Sequence, residues 1–87
     1  MHELSLMADF MKKLEAIAGE HQGERFVGVR VKLGALLHLS ADHFREHFDD
    51  AAAGTQWDGV RLDIETSNDP HEPYAQDLVL DSVDVEE

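Results

Sequence analysis

The sequence predicts an α+β fold, a two-layer domain with two helices packed on a small three-stranded mixed β-sheet. Two segments, residues 4–20 and 41–53, repeat apolar side chains at helical spacing, while residues 25–33, 60–65 and 77–85 alternate apolar and polar ones. Their order is helix, strand, helix, strand, strand. A helical crossover between the first two strands favours parallel pairing, and a loop return favours an antiparallel third. With 87 residues, 43% of them apolar, one core suffices and a single domain over residues 1–87 is expected.

The first helix has its stripe at Leu6, Met7, Phe10, Met11, Leu14, Ile17 and Ala18, with Lys12, Lys13, Glu15 and Glu20 on or beside the other face. Gly19 and Gly23 are stop signals, Gly23 being the better placed as a C-terminal cap. Met7 and Met11 carry soft thioethers that bind metals, but on an apolar helix face they read as core filler. In residues 25–33, Val27, Val29, Val31 and Leu33 share one face, and Gly28, Arg30 and Lys32 the other. Gly34 ends this strand, residues 35–39 form an apolar connection, and Ser40 is suited to cap the second helix. The buried stripe of that helix is Phe44, Phe48, Ala51 and Ala52, and Gly54 should end it in the left-handed conformation.

His43 and His47 stand four residues apart on the second helix, a spacing able to chelate zinc or nickel. The segment has no Glu in the second position of a zinc-peptidase motif, and Asp42 and Glu46 are ordinary companions on a helix surface. The pair is read as surface histidines. Residues 55–59 make a turn, with Trp57 a lid on the core edge, and Val60, Leu62 and Ile64 point inward from the second strand. Residues 66–76 are polar, contain both prolines and show no periodicity, so an exposed loop is expected. The third strand starts with Leu78 and Leu80 in phase and ends with Val83 and Val85 out of phase. A bulge near Asp81 and Ser82 restores the register.

Without cysteine the chain has neither a disulfide framework nor a thiolate zinc site, so no structural zinc is expected and packing must hold the fold. Seven Lys plus Arg against nineteen Asp plus Glu give a formal charge of −12, which disfavours nucleic acid and anionic membrane surfaces. Such a field attracts cations and basic protein surfaces, although its simplest effect is solubility. No basic secretory leader and no apolar run near membrane-spanning length is visible, so a cytoplasmic protein is expected. Asp49 and Asp50 come with no nucleophile motif or phosphate loop, and an enzyme is not expected.

The first residues carry the chemistry. If the chain begins at Met1 with a free amine, that amine, the His2 backbone nitrogen and the His2 imidazole close adjacent chelate rings in one plane. A planar nitrogen set suits nickel(II) or copper(II), whereas zinc prefers a tetrahedral site. Met1-His2-Glu3-Leu4-Ser5-Leu6 resembles the opening of the nickel-incorporation accessory proteins of hydrogenase and urease maturation, the HypA/HybF type. Residues 29–37 (VRVKLGALL) are similar to that family's strand and apolar turn. Gly54-Thr55 with residues 59–64 is similar to its GT, then G-x-x-L-x-I segment, and residues 80–86 to its last strand.

The resemblance implies that Met1, His2 and Glu3 bind nickel, with the Glu3 backbone nitrogen as fourth donor. It implies a metallochaperone-like accessory protein in the maturation of a nickel metalloenzyme such as a nickel-iron hydrogenase, working with a nickel-insertion GTPase and the hydrogenase large subunit. The family carries a four-cysteine zinc domain between its last two strands, where this sequence has the loop 66–76. The alternative is a metal-free adaptor or assembly module derived from the same domain. A homodimer is compatible with either, including one that exchanges strands about the short loop.

Overall fold

In the computed structural model, which describes residues 3–86 and their side chains from residue 5 onward, the elements are α1 (Glu3–Glu20), β1 (Arg25–Leu33), α2 (Ala41–Ala52), β2 (Arg61–Thr66) and β3 (Leu78–Glu86). The sheet order is β2-β1-β3, with β2 parallel and β3 antiparallel to β1. This is the two-layer α+β fold with a mixed sheet that the pattern predicts. β2 and β3 each start one residue later than expected. Val60 is still held in the preceding turn, its N–H donating to the Trp57 carbonyl at 3.3 Å, and the Asp77 carbonyl is engaged by the Gly34 N–H at 3.0 Å.

The predicted stripes meet in one core. Met7, Phe10 and Leu14 of α1 are buried with Phe44, Phe48 and Ala52 of α2 over Val29, Val31, Leu33 and Leu62 of the sheet. Phe10 sits edge-on to Phe44, ring centroids 5.4 Å apart, which is the arrangement aromatic quadrupoles favour. Ser40 caps α2 by accepting the His43 N–H at 3.1 Å, and Gly54 follows the helix at φ 78°. Ala51, expected inside, is exposed: the i+4 row Phe44–Phe48–Ala52 takes the whole contact and Ala51 falls on its flank. Gly23 does not cap α1. With φ 87° it shapes the turn closed by the Glu24 N–H on the His21 carbonyl, which leads into β1.

Two other expectations are corrected at the start of β1. The pairing runs from Phe26↔Val85 to Gly28↔Asp84, so Val27 is an extra residue and the phase reverses there. Phe26 therefore enters the core at 5% exposure while Val27 is half-buried. Trp57 is no lid: at 1% exposure it lies inside, its ring 4.3 Å from that of Phe26. Its indole N–H is buried without a hydrogen-bond partner. The bulge expected near Asp81 and Ser82 is present, since Arg30 pairs with Ser82 and Val31 with Leu80, leaving Asp81 as the extra residue.

The connection after β2 is less exposed than its composition suggests. Ala75 is buried, and the segment is fastened to the end of β1 by hydrogen bonds from Gly34 N–H to Asp77, from Leu36 N–H to Ala75 and from Ser67 N–H to Leu33. A Cβ on Gly34 would overlap the Tyr74 and Ala75 carbonyls, so only glycine lets the two backbones meet.

Candidate metal centre

α1 leads into β1 through a short turn and so runs antiparallel to it, which places the N-terminal end of α1 where β1 and β2 end and β3 begins. Leu6 of α1 and Tyr74 of the connection accordingly line the same groove. Of the residues assigned to nickel, Met1 and His2 lie outside the described residues, and Glu3 is described through its backbone as the first residue of α1. The first four N–H groups of a helix have no helical carbonyl to receive them, so a backbone nitrogen in that first turn can bind a metal without breaking a helical bond.

Among the described side chains, Met7 and Phe10 are the first of α1 to enter the core, at 7% and 2% exposure, so they anchor the N-terminal part of the helix. The positive end of the helix dipole opposes a bare cation there. A donor set that includes ionised backbone nitrogens offsets that opposition by bringing negative charge of its own, as metal-coupled deprotonation does.

The other candidates fall elsewhere. Met7 is in the core and Met11 packs against it, as filler rather than as ligands. His43 and His47 have ring centroids 6.4 Å apart on α2; His43 is exposed and His47 half-buried. Asp49 and Asp50 are exposed near the end of the same helix. Among the described residues no three His, Cys, Asp or Glu side chains gather as a metal group. None of their helices is long and apolar enough to cross a membrane.

Fold and core together describe a small two-layer α+β domain with a mixed three-stranded sheet. The family described as hydrogenase/urease nickel incorporation, metallochaperone, hypA matches residues 1–70. The chain is 34% identical over 65 residues to the hydrogenase maturation factor HypA of Desulfitobacterium hafniense, an alignment covering 75% of this chain and 57% of the relative. It is 35% identical over 65 residues to that of Methylocella silvestris, covering 75% and 58%, and 31% identical over 64 residues to that of Archaeoglobus fulgidus, covering 74% and 58%. The chain belongs to the HypA family of hydrogenase and urease maturation factors. It spans little more than half the length of these relatives, and the matched residues stop inside the connection before β3.

Proposed function

We propose that this protein is a nickel-binding accessory factor that carries nickel toward a metalloenzyme under maturation, with Met1, His2 and Glu3 as the nickel-binding residues. Nickel is its cargo. The observation that supports the proposal is the family match, which begins at residue 1 and so takes in Met1, His2 and Glu3. The planar set of amine, two backbone nitrogens and imidazole suits nickel(II), and the family supports nickel as the metal in the cell. Copper(II) binds such a set more tightly still, so discrimination rests on metal supply and on partners. The partners proposed are a nickel-insertion GTPase and the hydrogenase large subunit. No structural zinc takes part, and the connection before β3 stands where the family carries its zinc domain.

Calorimetric nickel titration of four samples tests this: protein with a free amine at Met1, the same protein acetylated, His2→Ala and Glu3→Ala. One nickel per chain is expected for the first and for Glu3→Ala, whose backbone nitrogen is intact, and none at comparable affinity for the other two. Equal binding by free and acetylated protein overturns the assignment and leaves a metal-free adaptor as the better description.

A further inference from the structure

The turn that joins α2 to β2 contains Asp58 followed by Gly59, both exposed. The N–H groups on either side are engaged, that of Asp58 by the Thr55 carbonyl at 3.1 Å and that of Val60 by the Trp57 carbonyl at 3.3 Å, while among the described residues the Gly59 N–H has no partner. Gly59 stands at φ 80°, and the space within 4 Å of where its Cβ would be is open. A carboxyl group one residue before an uncommitted, unhindered amide can close a five-membered ring on it. No other aspartate or asparagine among the described residues is placed this way. Asp9, Asp49 and Asp50 precede amides committed to the helical ladder, and the amides after Asp42 and Asn68 are held by Ser40 and Ser67. Asp69 precedes Pro70, which has no N–H, and the aspartates of β2 and β3, with Asp77 before them, are each followed by a residue whose Cβ crowds the ring.

We propose that the Asp58-Gly59 bond is a site of spontaneous isoaspartate formation, which makes this chain a substrate of a methyltransferase that esterifies isoaspartyl carboxylates. The Gly59 nitrogen attacks Cγ of the uncharged Asp58 acid: the N–Cγ bond forms, a Cγ–O bond breaks, and the hydroxyl leaves with the amide proton as water. Water then opens the cyclic imide at either carbonyl. Attack at Cγ restores Asp58, whereas attack at the main-chain carbon leaves a free α-carboxylate and routes the backbone through Cβ and Cγ. The added main-chain carbon falls where the turn is tightly fitted. Asp58 Oδ2 accepts the Gly54 N–H at 3.1 Å just past the end of α2, and Trp57 beside it is buried at 1% exposure. Isoaspartate takes the carboxylate away from Gly54 and disturbs the seat of Trp57. The site uses no residue of the metal motif and stands whether or not nickel binds.

The full chain is aged in warm neutral buffer beside Asp58→Glu, whose longer side chain would have to close a less favoured six-membered ring, and Asp58→Asn, whose amide leaves more readily. Isoaspartate is read as methyl uptake from labelled S-adenosylmethionine with a purified isoaspartyl methyltransferase, and is placed by electron-transfer fragmentation of peptides. The aged native chain should carry isoaspartate at position 58 at about tenfold or more above any other position, a ratio that corresponds to ~1.4 kcal/mol in barrier. Asp58→Glu should lose that uptake, and Asp58→Asn should reach it sooner with release of ammonia. Equal uptake by the native and Asp58→Glu chains would overturn the proposal, as would isoaspartate mapped mainly to Asn68 or Asp81. So would a folded chain that takes up none while the same chain in urea does, since the turn would then shield the pair that closes the ring.

Discussion

Arg61 on β2 reaches across the central strand and forms an ion pair with Asp84 on β3. The route is open because the residue between them is Gly28, which pairs with Arg61 on one side and with Asp84 on the other. A Cβ at that position would run into the guanidinium. Arg61 also donates to Asp63 at 2.8 Å, and the two carboxylates, Asp63 foremost, raise its pKa above the ordinary arginine value. What this adds to stability is present throughout the neutral range and is lost at the alkaline end as pH rises through the guanidinium's own pKa. Both side chains are more than half exposed, so the pair fixes the alignment of the outer strands more than it stabilises the domain.

Two glycines of β1 and its end should respond differently to alanine. At Gly34 the new methyl meets backbone carbonyls that cannot swing away, and a loss of about 2–3 kcal/mol is expected by urea denaturation, in the range of overpacked cores. At Gly28 it meets the end of a flexible side chain, and the loss should be clearly smaller. Equal losses would contradict the close contact between Gly34 and the connection before β3. We further propose that this contact restrains strand exchange, so Gly34→Ala should raise the dimer fraction in sedimentation.

Stability should rest on packing. Phe44 is fully buried between α1 and the sheet, and Phe44→Ala should cost about 3–5 kcal/mol through lost burial and an unfilled cavity. A strong chelator should leave the melting temperature unchanged, because a domain without structural metal has no binding energy to lose. A large drop on chelation would show that a metal holds the fold.

The double substitution His43→Ala and His47→Ala should remove only weak nickel uptake. Ser40 caps α2 through the His43 backbone N–H, which alanine keeps, so the helix should survive. Loss of the tightest nickel site while His2 is intact would move the metal centre to α2.

Nickel affinity should rise with pH. The amine and the backbone nitrogens must give up protons to bind, so proton competition weakens the complex as pH falls. The planar complex should be low-spin and therefore diamagnetic. Calorimetry across a pH series and a magnetic measurement on the loaded protein check both. Affinity that is flat with pH would exclude backbone nitrogen donors.

Much of this molecule is decided by neighbours in sequence. The α1 stripe, the limits of β1, the Ser40 cap and the bulge at Asp81 follow from spacing alone, because helical and strand periods are local and a slip of phase between Leu80 and Val83 is visible in the letters. The proposed Met1-His2-Glu3 chelate is likewise read from adjacent residues, which would close its rings. The bulge at Val27 was hidden because Phe26 and Val27 are both apolar and either suits the core. The depth of Trp57 depends on Phe26 arriving from a distant strand, and the docking of the connection on Gly34 depends on backbones more than thirty residues apart in the chain. The span from Arg61 to Asp84 and the groove between α1 and β3 exist only because the sheet order is β2-β1-β3. Strand order is set by how whole elements bury their apolar faces together, and no local pattern encodes which edge is left open.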